Sequence, residues 1–308
     1  QRADIRPTKR KTPKKVGREI LAFADTQIGY RRVRDTRTDK EELVPTHSEE
    51  MLRVIQQINA DRMPETVINL SDTIDLAEFS RFDPDSDHFH RTLGPSFQRV
   101  HDFYAQLYAD NPKGKRVEVD SNHTARVHKR ILQRMPELYG FTLPGEQYPL
   151  MSYFRLANLD GFVDFISGYG GAEFIYGEEY GREPIIAKHG VVLSSIPGGT
   201  VRKELQENPT SHIIRGHGHS FEQVSRTTRD GNQLRYIQLG ASCMNTSVVP
   251  SYRNAIDDFG QPVKSRENWQ NQLLMIEDFE DGTYNFNVID VINGVARYGG
   301  KVYDGREN

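Results

Sequence analysis

Apolar and polar positions along this chain follow two rhythms. Through residue 220, short apolar runs of strand length alternate with stretches of helical period. Residues 20–24 of "REILAFADTQIGY" form the first run, and Asp25 stands where that strand should end. A capping box of Thr46 and Glu49 is predicted next, ahead of Met51, Leu52, Ile55 and Ile58 on one helical face. A second run covers 66–70 in "TVINLSDTID", and a second helix near 96–109 carries Phe97, Val100, Tyr104 and Leu107 on one side. "KRVEVDSNHT", "PIIAKHG" and "SHIIRGHGH" supply three further runs, each closing on polar residues. Strand-helix-strand alternation predicts an α/β fold with a largely parallel or mixed sheet and helices on its faces.

After residue 220 the rhythm changes. "FEQVSRTTRDGNQLRYIQLG" and "NQLLMIEDFEDGTYNFNVIDVI" each place a DG turn between strand-like runs, which predicts hairpins. We read them as an antiparallel addition that completes a second sheet within one domain of residues 20–308. Residues 76–110 read as a helical insertion. The Gly- and Tyr-rich stretch 140–182 and the polar stretch 248–268 read as rim loops over a site.

Composition narrows the chemistry. Charged residues make up 27% and hydrophobic residues 36%, the balance of a soluble globular protein, and no apolar stretch approaches a membrane span. The expected setting is cytoplasmic, with no membrane partner. A single cysteine, Cys243, excludes an internal disulfide and a cysteine-rich zinc site. Any metal must therefore be held by imidazole and oxygen. Residues 1–19 carry eight Lys or Arg against Asp4 and Glu19, which leaves the remainder acidic. We read this basic, proline-broken segment as a flexible arm, a solvated tail or a tether to an upstream domain.

In sheets of this class the site lies beyond the carboxyl ends of the strands. Five such ends deliver Asp25 and Gln27, Asp72, Asn122, His189, and the pair His217 and His219. Taken alone, a His-x-His pair is open to two readings: shared metal ligands, or one buried and one solvated imidazole. The donors at the other strand ends favour metal.

Seven oxygen and nitrogen donors in this order resemble the calcineurin-like metallophosphoesterase superfamily. Its blocks D-x-H, G-D-x-x-D, G-N-H-D/E, H and G-H-x-H appear here as "DTQ", "SDTID", "SNHT", "KHG" and "GHGH". "EFSRF", "NHTAR" and the "GASCMN" stretch resemble stand-alone bacteriophage and bacterial members. The resemblance implies a four-layer α-β-β-α sandwich of two mixed sheets, with the C-terminal hairpins as an extension. It also implies two divalent metal ions. Asp25, Gln27, Asp72 and His219 would hold the first, and Asp72, Asn122, His189 and His217 the second. His123 would protonate the leaving oxygen and Asp75 would orient its ring, although Asp75 reads equally well as a helix N-cap.

Four positions depart from the family pattern. Gln27 stands for a histidine and offers a harder oxygen donor, which favours Mn²⁺, with Fe, Zn or Mg as alternatives. Ser71 and Ser121 stand for glycines and strain tight turns. Thr124 stands for an acid.

Other candidates carry less. Arg126 reads either as a phosphate contact or as a solvated helix residue, and Arg215 is the next nearest cation. His88, His90 and His101 read as surface residues, and Cys243 as a packed thiol. "SIPGGT" lacks the Lys-Ser/Thr of a phosphate-binding loop. The metallo-β-lactamase pattern needs Asp-His after its His-x-His, where this chain has Ser220-Phe221. The expected function is a dinuclear phosphoesterase acting on phosphodiesters, its partner a phosphate-ester substrate such as a nucleic acid or a cyclic nucleotide. The alternatives are a phosphomonoesterase or protein phosphatase, and a DNA-binding accessory that uses the fold as a scaffold.

Overall fold

Strand β1 (Arg18–Phe23) buries both of its faces, and the two faces meet different neighbours. Leu21 and Phe23 enter a core shared with helices, whereas Ile20, Ala22 and the following Ala24 enter a core between two sheets. In this computed structural model, which describes residues 17–35, 37–79, 91–244 and 268–307, that division sets the layering.

The chain continues as a hairpin of β2 (Tyr30–Asp35) and β3 (Lys40–Pro45), helix α1 (Glu49–Arg62) and β4 (Thr66–Asn69). Helix α2 (Leu93–Asp110), β5 (Lys115–Val119), helix α3 (Thr124–Arg134) and the short α4 (Tyr153–Leu156) follow. Then come β6 (Asp164–Ile166), β7 (Glu173–Tyr176), β8 (Ile185–Lys188), helix α5 (Gly199–Glu207) and β9 (His212–Arg215). The last third is β10 (Glu222–Thr227), β11 (Gln233–Gln238), β12 (Gln272–Asp278), β13 (Tyr284–Ile292), β14 (Val295–Tyr298) and β15 (Lys301–Asp304).

One sheet has the order β15-β14-β13-β12-β1-β4-β5-β6 and the other β10-β11-β9-β8-β7. Strands β1, β4, β5 and β6 run parallel, as do β8, β9 and β11. Helices α1, α2 and α3 cover the outer face of the first sheet with Leu52, Ile55, Val100, Phe103 and Val127. Helix α5 covers the outer face of the second, Val201 packing with Ile213 and Tyr236. The α/β class expected from the pattern is observed, with the two mixed sheets that the resemblance implies.

Four expectations change in detail. The β10–β11 hairpin does join the second sheet, but β12 to β15 join the first, with β12 antiparallel to β1. The reason is burial: Leu273 and Met275 face the helices while Leu274 and Ile276 face the second sheet, so β12 needs cover on both sides. The cap of α1 is Ser48, whose side chain accepts from the Met51 N–H, and not Thr46. Glu49 is drawn instead to His47 and Arg99, so it cannot close a capping box. β1 opens two residues ahead of the apolar run and takes Arg18 and Glu19 into the sheet. Segment 140–182 contains α4, β6 and β7, the last two paired with β5 and β8. Residues 1–16, His88, His90 and nearly all of 248–268 lie outside the described residues. Among the described residues no helix is long and apolar enough to cross a membrane.

Candidate metal centre

All seven expected donors lie just past the carboxyl ends of β1, β4, β5, β8 and β9. Asp25, Gln27, Asp72, His189 and His219 are buried. The backbone there is unusual. Asp25, Gln27, Asp72, His217 and His219 have φ of 55°, 46°, 51°, 75° and 57°, in the left-handed region that side chains avoid. Such residues cost on the order of 1–2 kcal/mol each, and burial of a few core side chains at about 1.5–3 kcal/mol each offsets them. Five of the twelve non-glycine residues with positive φ among the described residues are these donors, the clustering expected of a functional site. Gly190, after His189, has φ 93°, and a side chain there would strike the Arg215 guanidinium.

Four donors converge tightly. His189 Nε2 lies 2.9 Å from Asn122 Oδ1, 3.2 Å from His217 Nδ1 and 3.2 Å from Asp72 Oδ2. Ligand atoms of Asp72, His189 and His217 all fall within 4.8 Å of one another. His189 Nδ1 donates to the Leu70 carbonyl at 2.7 Å, which directs Nε2 inward as a metal ligand requires. Burial disfavours a charged His189, but the Asp72 carboxylate outweighs it and holds the ring up at about 9. His217 is pushed down to about 4 by burial and by His189. Burial would raise the Asp72 carboxyl, yet His123, His189 and His217 together hold it well below the usual carboxylate range. This carboxylate is anionic and set among imidazoles, the environment a cation would share.

The other three donors form a second group. Asp25 Oδ1 is 3.4 Å from His219 Nε2, and Gln27 Nε2 is 3.2 Å from the same nitrogen. Asp25 Oδ2 accepts from the His217 N–H at 3.0 Å, which ties the two groups together. Among the described residues, Asp25 Oδ1 and Gln27 Oε1 are buried without a hydrogen-bond partner. A half-turn of the Gln27 amide brings its oxygen to the atom position facing His219. Buried oxygens left unpaired are costly, and hard donors of this kind fit a divalent cation.

His123 and Asp75 sit at the edge of this arrangement. His123 Nε2 is 3.6 Å from Asp72 Oδ2, and His123 Nδ1 is 3.6 Å from Asp75 Oδ1. The backbone N–H of His123 donates to Asp72 Oδ1 at 3.2 Å. Burial pushes the imidazole down to about 3, against the pull of Asp72 and with the help of Arg126. The ring is neutral. Asp75 precedes a short 3₁₀ turn, Ala77–Phe79, and its carboxylate faces His123 and Arg126.

Three further residues stand at the centre, of which the sequence singles out Arg126 alone, as a phosphate contact or a solvated helix residue. Arg126 is turned inward, its Nη2 2.8 Å from His123 Nε2. Glu118 is wholly buried beneath the Asp72 loop and accepts from Thr73 Oγ1 at 2.6 Å, Tyr104 OH at 2.7 Å and Ser71 Oγ at 3.3 Å. It thereby grips both neighbours of Asp72 and steadies Ser71 at φ 73°. Trp269 packs against His219. Arg215 is held by Glu204 and the Val192 carbonyl, Cys243 is a buried free thiol, and His101 is bonded to the Ala157 and Asn158 carbonyls. A cavity of about 230 Å³ opens beside His189, with Tyr169, Val191 and Lys203 in its walls.

No protein-family model matches the chain, and no curated protein matches it. Among solved structures it is similar to a conserved uncharacterized protein, a predicted phosphoesterase, from Streptococcus pneumoniae TIGR4. Identity there is 11%, with a TM-score of 0.33, over 91% of this chain and 95% of that one. It is also similar to a dimetal phosphatase from Danio rerio, at 13% identity and a TM-score of 0.38, over 86% of this chain and 94% of that one.

Proposed function

We propose that this chain is a metal-dependent phosphoesterase that hydrolyses phosphodiester bonds in a nucleic acid or a cyclic nucleotide. The observation that carries it is the convergence of Asp72, Asn122, His189 and His217, with Asp25, Gln27 and His219 beside them. In this reading Asp25, Gln27, Asp72 and His219 hold one divalent cation, and Asp72, Asn122, His189 and His217 a second. Bound there, the cations would supply Lewis acidity to the phosphoryl group and lower the pKa of a water. The remaining work falls to the chain's own groups. The Leu70 carbonyl fixes the His189 tautomer, and Glu118 braces the loop that carries Asp72. His123 delivers the proton to the leaving oxygen, and Asp75 steers its Nδ1 edge. The amide oxygen of Gln27 favours Mn²⁺ over softer ions.

Two features support the diester. Thr26, Thr73, Ser121, Thr124, Gly190 and Gly218 flank the donors and carry no charge, so little rewards a dianion. The cavity beside His189 leaves room for a second substituent on phosphorus. A phosphomonoesterase is the second reading, favoured by the guanidinium of Arg126 facing inward. The test is the ratio of kcat/KM for bis-(p-nitrophenyl) phosphate to that for p-nitrophenyl phosphate in Mn²⁺. A ratio above one is expected. A clear win for the monoester turns the reading to a phosphatase, and no turnover of either turns it to a nucleic-acid-binding accessory.

A further inference from the structure

Arg126 lies three residues past His123, on the first turn of α3, so both side chains project from one helix face. Its guanidinium is used from two sides. Nη1 donates to the Asp75 carbonyl at 2.6 Å and to the Leu76 carbonyl at 3.4 Å, which anchors that edge to backbone. Nη2 points the other way, 2.8 Å from His123 Nε2, and that nitrogen is 3.6 Å from Asp72 Oδ2. One imidazole nitrogen therefore separates the cationic edge from the carboxylate at the middle of the centre. Arg215 differs: it is 2% exposed and committed to Glu204 and the Val192 carbonyl.

A guanidinium can only donate. His123 Nε2 must then accept, and the imidazole proton sits on Nδ1, the edge facing Asp75. That tautomer has no proton on the atom facing Asp72. A phosphoryl oxygen is a charged acceptor, and hydrogen bonds to charged acceptors are roughly twice as strong as those between neutral groups. We propose that Arg126 is a phosphate-binding residue of this site. It exchanges His123 Nε2 for a non-bridging phosphoryl oxygen when the ester binds, and the exchange frees Nε2 to take a proton from water and hand it to the leaving oxygen. This rests on the phosphoesterase reading. The anchored Nη1 edge keeps the movement small, because a modest turn about the Asp75 and Leu76 carbonyls redirects Nη2 alone.

The experiment compares metal-loaded wild type, Arg126→Ala and Arg126→Lys. Inorganic phosphate is titrated calorimetrically, its protection against thermal unfolding is recorded, and bis-(p-nitrophenyl) phosphate kinetics are measured. Metal content should be the same in all three. Phosphate affinity should fall roughly 10- to 100-fold in Arg126→Ala, the range for one charge-assisted hydrogen bond, with an intermediate loss in Arg126→Lys. Millimolar guanidinium ion should restore part of the Arg126→Ala turnover and none of the lysine variant's deficit. If phosphate affinity stays within twofold of wild type while the melting temperature drops, Arg126 is only a strut between α3 and the 75–76 backbone. Should unaltered, metal-loaded protein neither bind phosphate nor cleave the ester, the phosphoesterase reading itself falls, an outcome visible without any variant.

Discussion

The indole of Trp269 stands edge-on to the imidazole of His219, with ring centroids 4.4 Å apart and planes at 71°. The chain has one tryptophan, so all indole emission comes from this position. Any cation drawn to His219 alters the ring that Trp269 touches. Titration with Mn²⁺ should therefore quench the emission and reach a plateau by about two equivalents, and Asp25→Ala should blunt the response. Emission that stays flat while metal analysis shows full loading would exclude His219 as a ligand.

The two donor groups differ in strength. Asp72, Asn122, His189 and His217 offer two imidazoles, whereas the Asp25 group offers His219 and a neutral amide. The first site should therefore empty sooner under mild chelation, leaving one equivalent as a plateau. Gln27→His should erase the plateau by tightening that site, and Asp72→Ala should lose both ions. Elemental analysis of reconstituted protein measures this directly. A single ion held only by the three histidines, with no second equivalent at saturation, would contradict the shared role of Asp72.

Much of this site is legible in the sequence because its donors are tied to strand ends, and strand ends are set by local pattern. "INLSD", "VEVDSN" and "IIRGHGH" announce both the strand and its terminal donors. What the pattern conceals depends on rotation and on distant partners. Glu118 occupies a polar position in an alternating run and reads as solvent-facing, yet four hydroxyls, those of Ser71, Thr73, Tyr104 and Tyr153, draw it inward. Arg126 shares a helix face with His123, but partners some fifty residues away, the carbonyls of Asp75 and Leu76 among them, turn it toward the centre. Trp269 reaches His219 across some fifty residues of sequence, so no local spacing reports it. The place of β12 between β13 and β1 was equally hidden, since a hairpin signal says which strands pair and not which sheet receives them.

His123 is assigned to proton delivery and not to ligation, and the two roles separate under mutation. His123→Asn should leave metal content at the wild-type level, because the three expected ligand imidazoles are untouched. Turnover should fall by roughly 10²–10⁴-fold on an ester with an alkyl alcohol leaving group, the usual worth of general acid catalysis. On bis-(p-nitrophenyl) phosphate the loss should be small, because p-nitrophenolate departs without a proton. Equal losses on both substrates would remove the general-acid role, and loss of metal would make His123 a ligand.

Glu118 makes the stability of the fold depend on pH. Burial raises its carboxyl from 4.5 to about 7, despite the hydroxyls of Thr73, Tyr104, Tyr153 and Ser71 that favour the anion. The folded protein thus holds the proton more tightly than the unfolded chain does. Stability from this group is complete below pH 4.5 and is lost as pH rises through 7, by up to about 3 kcal/mol at 1.36 kcal/mol per unit. Glu118→Gln keeps the shape of the protonated acid and removes the titration. Urea unfolding of both proteins in excess chelator, from pH 5 to 8, should show wild type losing stability relative to the variant across that window. Other ionisable groups are common to both chains and cancel in the difference. A difference that does not change with pH would mean that Glu118 is ionised in the fold at every pH tested, held by its hydroxyls, and that burial is the weaker effect.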